Sequence, residues 1–163
     1  MHTILFMRHA KSSWKNLALR DFDRPLNKRG KNDVPMMGKR LDARGYRADS
    51  IISSPAMRAI STAKGLAKEI GYKTRIIEEK QLYMAEVEDY LQVINSLDEK
   101  EKAVMIVSHN PGTEEIIEYL ASQDFFIPTA AYVLLEFKGK WKEIGQGSCK
   151  VLDYDFPKSE RAR

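Results

Sequence analysis

The chain has 163 residues, of which 43% are hydrophobic and 31% are charged, so it has the length of one globular domain and the composition of neither a disordered nor a fibrous protein. Its single cysteine, Cys149, excludes an intramolecular disulfide. The uncharged stretches fall well short of the roughly 18 residues that a membrane span needs, and the N-terminal segment lacks the basic start of a signal peptide. We expect a cytoplasmic protein with no role at a membrane, and we take it to be a monomer.

Charge is distributed unevenly along the chain, although the net formal charge is only +4. Residues 1–75 contain 17 basic and 6 acidic residues, residues 76–124 contain 3 and 12, and residues 125–163 contain 7 and 5. A basic first half attracts an anionic partner, but a solvated surface with helices of opposite charge explains the same pattern. Nucleic acid is not expected as a partner, because no zinc-finger spacing, aromatic RNA-binding motif or basic zipper accompanies the charge.

Short apolar runs with little alternation are typical of strands that are buried on both faces of a parallel sheet. Four such runs predict strands at Thr3–Met7, Ser50–Ser53, Arg75–Ile77 and Ala103–Val107. Near the C-terminus, the pattern predicts a hairpin of Tyr132–Phe137 and Trp141–Ile144 around Gly139 and Lys140, and a further strand at Val151–Phe156.

Apolar residues at helical spacing lie between the predicted strands. They predict a helix around Met36, Met37 and Leu41 with Pro35 in its first turn, a helix over Arg58–Ile70 that ends at Gly71, a helix over Val87–Leu97, and a helix with Thr113 as its N-cap. Alternating strands and helices followed by a hairpin predict an α/β fold, a three-layer sandwich with a mostly parallel central sheet flanked by helices. We expect one domain over residues 1–157 and a short, frayed polar tail over residues 158–163.

Two of the three histidines directly follow predicted strands. His9 comes with Arg8 after the first strand, and His109 follows the strand Ala103–Val107. Because the carboxyl ends of parallel strands meet at one edge of a sheet, we expect both histidines at that edge. Arg58 is expected there too, in the first turn of a helix with Ser54 as N-cap and Pro55 as first residue. A lone histidine after a strand is often a structural residue, but two in equivalent places favour a site.

This set of side chains suits a phosphoryl group. Guanidinium groups bind phosphate oxygens bidentately, and a neutral imidazole is a competent nucleophile near neutral pH. The sequence has no spacing of metal ligands and no glycine-rich nucleotide loop, so we expect neither a metal nor another cofactor.

Four motifs resemble those of the histidine phosphatase superfamily, whose fold is that of the phosphoglycerate mutases. They are Arg8-His9-Ala10, the run Ser53-Ser54-Pro55-Ala56-Met57-Arg58, the run Val107-Ser108-His109-Asn110, and Asp23-Arg24-Pro25-Leu26-Asn27 with Arg29-Gly30. The fourth resembles the SixA-type phosphohistidine phosphatases in particular. Ala10 stands where the family usually has glycine. The match in order and spacing extends from residue 3 to about residue 120, so the C-terminal hairpin rests on analogy alone.

The resemblance implies a role for each matching residue. His9 is the expected nucleophile, which becomes transiently phosphorylated, while Arg8, Arg58 and His109 bind the phosphoryl oxygens. Ser12 is a weaker candidate for substrate binding beside them.

The general acid of phosphoglycerate-mutase-like relatives has no clear counterpart. Glu86 is the only candidate, and a solvated glutamate in the first turn of a helix is the better interpretation of it. A site without a strong acid favours a good leaving group, so we expect a phosphohistidine on a protein partner as the substrate. Two alternatives stay open at this stage: a phosphomonoesterase or mutase that acts on small phosphorylated metabolites, and a phosphate-binding module without turnover.

Overall fold

The computed structural model describes residues 1–159, and within them six strands form one sheet with the order β3-β2-β4-β1-β5-β6. The strands are β1 (His2–Arg8), β2 (Ser50–Ser53), β3 (Ile77–Glu78), β4 (Ala103–Ser108), β5 (Tyr132–Phe137) and β6 (Cys149–Asp155). Strands β1 to β4 run parallel, whereas β5 is antiparallel to both β1 and β6. The mostly parallel sheet is the one expected from the sequence.

Helices cover both faces of the sheet. They are α1 (Lys28–Ala43), α2 (Met57–Glu69), α3 (Val87–Asn95) and α4 (Gly112–Ala121). Because side chains alternate along a strand, β1 sends Leu5 and Met7 into a core with α1 and α2, and Ile4 and Phe6 into a second core with α3 and α4. The three-layer α/β sandwich predicted from the sequence is therefore confirmed.

The C-terminal hairpin is present, but the predicted second strand at Trp141–Ile144 is wrong. Trp141–Glu143 forms a short 3-10 turn, and β5 pairs with β6 instead. The reason is burial of the indole: Trp141 is fully buried, with its ring centroid 4.1 Å from that of His2. This contact closes the second core and removes the segment from the sheet.

The start of one helix and the place of one proline also differ from expectation. Helix α4 begins at Gly112 with Pro111 at the N-cap, so Thr113 is not the cap, and its hydroxyl donates to the carbonyl of His109 at 2.9 Å. Pro35 lies in the interior of α1 rather than in its first turn. The helix continues through it because Val34 and Met37 pack into the core on either side.

The C-terminal segment is held as far as the structure describes it. The Arg40 guanidinium donates to the carbonyls of Phe156 at 3.0 Å and Pro157 at 3.1 Å, and Ser159 is buried beside Asp155. The remaining part of the expected polar tail, residues 160–163, lies outside the described residues. Within residues 1–159, every helix is too short or too polar to cross a bilayer.

Gly30 offers a test of how closely α1 packs against the loop after β1. An added Cβ at Gly30 would lie 2.2 Å from the carbonyl oxygen of Lys11, which is a backbone atom. We predict that Gly30→Ala lowers the free energy of unfolding by about 1–3 kcal/mol in urea denaturation, since an overpacked site forces the backbone to move. Gly145→Ala is the matched control, because nothing lies within 4 Å of its added Cβ. Equal stability of the two variants would contradict this packing.

Candidate active site

The register of β1 against β4 brings the two predicted histidines together. Arg8 is paired with Ser108, so His9 and His109 leave neighbouring parallel strands at the same level. The amide of His9 donates to the carbonyl of Ser108 at 3.0 Å, and the two imidazole centroids are 5.0 Å apart. Both rings therefore lie within reach of one small group at the carboxyl edge of the sheet.

Arg58 reaches the same edge from the neighbouring strand β2, but the local cap differs from the expected one. Helix α2 begins at Met57 with Ala56 at the N-cap, so Ser54 is not the cap and Pro55 is not the first helical residue. The Ser54 hydroxyl instead accepts from the Ala56 amide at 3.3 Å and is 2.7 Å from Nε2 of His109. Arg58 nevertheless lies in the first turn of α2, as predicted.

One hydrogen bond sets the tautomer of His9. Its Nδ1 atom is 2.7 Å from the carbonyl oxygen of Ala10. Because a carbonyl only accepts, Nδ1 carries the proton and Nε2 of the neutral ring keeps its lone pair. Thr62 fixes the loop behind this ring: its hydroxyl accepts from the Ala10 amide at 3.0 Å and donates to the carbonyl of Arg58 at 2.8 Å.

His9 opens into a small cationic cavity, which we call the cup. Its volume is about 180 Å³, and its lining residues are Arg8, His9, Lys11, Ser12, Trp14, Arg24, Arg58 and Thr129. Four of these carry a positive charge and none is acidic. In this cavity the structure brings together Arg8, His9, Ser12 and Arg58, four of the residues expected from the sequence.

Arg24 is a member of the cup that received no role in the sequence analysis. It is buried, and its guanidinium lies 3.3 Å from the centroid of the Trp14 ring and donates to the hydroxyl of Ser12. Ser12 therefore holds Arg24 in addition to lining the cup. The sequence signal for Arg24 is the motif Asp23-Arg24-Pro25-Leu26, which by itself indicates only a subgroup of the family.

Asp21 links the arginines of the site. Its carboxylate accepts from Arg58 at 2.9 Å, from Arg24 at 2.8 Å and from the hydroxyl of Tyr83 at 2.7 Å. Burial alone would raise the pKa of Asp21, but these three hydrogen bonds outweigh it and hold the pKa well below its usual range. Asp21 is therefore an anion near neutral pH and a fixed counter-charge for both guanidinium groups.

A second, larger cavity shares Arg58 with the cup, and we call it the groove. Its volume is about 750 Å³, and Asp21, Arg58, Tyr83, Glu86 and His109 are among its lining residues. Arg58 lines both cavities, while His109 lines the groove and contacts His9. The site thus consists of a small basic cup joined to a wider groove.

Glu86, the only candidate acid from the sequence, lies at the N-cap of α3 and is exposed on the groove wall. Its backbone amide donates to the Asp89 carboxylate at 2.9 Å. Within residues 1–159, its carboxylate makes no ion pair and no hydrogen bond with the histidines or arginines of the cup. Nor do these residues contain a group of three or more His, Cys, Asp and Glu side chains arranged to hold a metal ion.

Burial lowers the pKa of both histidines. It lowers that of His9 to about 4, and the nearby charges of Arg58 and Arg8 act in the same direction. It lowers that of His109 to about 3, assisted by the neighbouring His9 and Arg58. Both rings are therefore neutral at pH 7, with the lone pair of His9 available.

These shifts predict how stability depends on pH. The histidine pKa is depressed in the folded state relative to about 6.5 in the unfolded state, so the unfolded chain takes up protons first as the pH falls. We predict that the wild type loses about 1–2 kcal/mol more than His109→Gln between pH 7 and pH 5, because the variant lacks one buried imidazole. Denaturant unfolding at both pH values measures this difference, and equal losses would contradict the lowered pKa.

Comparison with known proteins agrees with the motifs. The family model of the histidine phosphatase superfamily (branch 1) matches residues 4–83. A solved structure from Agrobacterium tumefaciens, assigned as the phosphohistidine phosphatase SixA, has a TM-score of 0.84 and 28% identity, covering 96% of this chain and 98% of that one. The protein histidine phosphatase SixA complexed with tungstate gives a TM-score of 0.83 at 18% identity, covering 95% of this chain and 97% of that one, which supports the fold. An uncharacterized chloroplastic protein of Arabidopsis thaliana is 29% identical over 96% of this chain and 78% of its own length. The chain therefore belongs to the histidine phosphatase superfamily, as a SixA-like phosphatase.

Proposed function

We propose that this phosphatase removes phosphate from a phosphohistidine on a partner protein, with His9 as the nucleophile. The observation that carries the proposal is the neutral His9 ring, whose Nε2 lone pair is free beside a cup with four positive charges and no acid. In this proposal the guanidinium groups of Arg8, Arg24 and Arg58 bind the phosphoryl oxygens and offset the charge that develops during transfer. His109 donates a further hydrogen bond, since its Nδ1 atom has no partner within residues 1–159.

The reaction proceeds in two in-line steps. Nε2 of His9 attacks phosphorus, and the bond between phosphorus and the substrate nitrogen breaks with its electron pair going to that nitrogen. A water oxygen then attacks the phosphoenzyme, the bond to Nε2 breaks, and inorganic phosphate leaves with one water proton while the other goes to solvent. The hydrogen bond from Nδ1 to Ala10 keeps a proton on the His9 ring, so His9 departs from phosphorus as a neutral imidazole.

The carboxylates of the site support phosphohistidine over an alkyl phosphate. An alkoxide leaves slowly without a proton donor, and general acid catalysis contributes about 10²–10⁴-fold. Asp21 is a poor donor because its lowered pKa keeps it ionised, and Glu86 makes no hydrogen bond with the residues of the cup in the described part of the chain. An imidazole whose second nitrogen is protonated leaves as a neutral ring and needs far less assistance.

We further propose that the enzyme is a cytoplasmic monomer and that it acts in signal transduction. The second substrate class, small phosphorylated metabolites, uses the same chemistry and is decided by the following experiment.

Two peptides of identical sequence, one with ³²P-labelled phosphohistidine and one with ³²P-labelled phosphoserine, test both the substrate and the nucleophile. We predict that the wild type releases phosphate from the phosphohistidine peptide at least about 100-fold faster, because the serine alkoxide lacks a general acid. Rapid quenching should trap acid-labile label on His9, and His9→Ala should neither carry label nor release phosphate.

His2→Gln is the matched control, because His2 lies at the end of β1 opposite to His9. This variant should keep both the label and the turnover. Faster release from phosphoserine would favour the metabolite phosphatase. Binding of the peptide without release would indicate a module without turnover, and label on another residue would contradict the role of His9.

A further inference from the structure

The groove beside the cup carries an excess of negative charge on its walls. Glu86 and Glu88 at the start of α3 face this cavity together with Glu115 from α4, and all three are exposed. Within residues 1–159, none of them forms an ion pair. Arg58 is the only cation in the lining, and Asp21 already pairs with it at 2.9 Å. The potential of the groove is therefore opposite in sign to that of the cup.

Apolar surface lies between these carboxylates. Met84, Val87 and Pro111 line the same cavity, and the Met84 side chain is 79% exposed. The backbone of Met84 is in the left-handed region, with φ 56°. An exposed apolar surface next to carboxylates suits the side chains of lysine and arginine. Their aliphatic carbons pack on apolar groups while the charged end stays in water.

Two further observations indicate that the groove receives part of the substrate. His109 is 7% exposed, lines the groove and has an Nδ1 atom without a hydrogen-bond partner in residues 1–159. The cup, at about 180 Å³, accommodates little more than the phosphoryl group, whereas the groove has about 750 Å³. The groove shares Arg58 with the cup and so offers the adjoining space that a leaving group larger than the cup requires.

We infer that the groove binds a segment of the partner protein in which basic residues flank the phosphorylated histidine. The inference rests on the proposed function and adds to it the chemistry by which the substrate is selected. The carboxylates attract the arginine or lysine side chains of the segment, while they repel substrates that carry acidic groups next to the phosphoryl group. This preference is opposite to the one expected from the net charge of +4 and the basic cup alone.

Three phosphohistidine peptides of equal length, with arginine, alanine or glutamate on both sides of the phosphorylated residue, test this selection. At low ionic strength, we predict that kcat/KM for the arginine peptide exceeds that for the glutamate peptide by about tenfold, with the alanine peptide between them, as expected for a few exposed charge pairs. Equal values, or a preference for the glutamate peptide, would overturn the inference. If none of the three peptides releases phosphate, the proposed function itself fails.

A double variant assigns the preference to the groove. Glu88→Gln together with Glu115→Gln removes two of its charges without changing side-chain size, and we predict that the ratio of arginine to glutamate peptide falls to about threefold or less. The matched control, Glu78→Gln with Asp124→Asn, removes two exposed charges outside the groove and should keep the wild-type ratio. An unchanged ratio in the groove variant would place the selection elsewhere and contradict the inference.

Discussion

The site depends on the burial of two imidazole rings beside arginine side chains. Burial and the surrounding guanidinium groups lower the pKa of His9 to about 4 and that of His109 to about 3, so neither ring adds a charge to an already cationic cup. A protonated His9 would have no lone pair for phosphorus. The fold maintains this state because β1 and β4 are adjacent and in register, which leaves both rings at the carboxyl edge of a sheet that is covered on both faces.

Asp21 balances the charge that this arrangement accumulates. It accepts hydrogen bonds from Arg24, Arg58 and Tyr83, and so connects the loop after β1 with α2 and with the wall of the groove. This hydrogen-bonded counter-charge orients the two arginines before a substrate arrives, which reduces the cost of reorganising them during phosphoryl transfer. The same hydrogen bonds keep Asp21 ionised, which is why the proposed substrate has a leaving group that needs little protonation.

The sequence predicted the fold well wherever a single pattern determined the element. The buried runs of β1, β2 and β4 are apolar on both faces, and Gly71 ends its helix with a positive φ of 72°. Where a tertiary contact competed with the local pattern, the prediction failed. Trp141 lies in a segment with the pattern of a strand, but its indole is buried against His2. The hydroxyl of Ser54, which was expected to cap a helix, lies next to His109 instead. The proximity of His9, His109 and Arg58 followed from strand topology, whereas Arg24 and Asp21 reach the site through a loop that has no periodic pattern.

The protonation state of His9 is the most direct test of this view of the site. Nitrogen NMR of ¹⁵N-histidine-labelled protein distinguishes the two neutral tautomers and the imidazolium, with His9 assigned by comparison with His9→Gln. We predict that His9 remains neutral from pH 8 to about pH 5, with its proton on Nδ1 and a bare Nε2, because its pKa lies near 4 and Ala10 accepts from Nδ1. A His9 ring that titrates near pH 6.5, or that carries its proton on Nε2 at pH 7, would contradict the role of this nitrogen as the acceptor of the phosphoryl group.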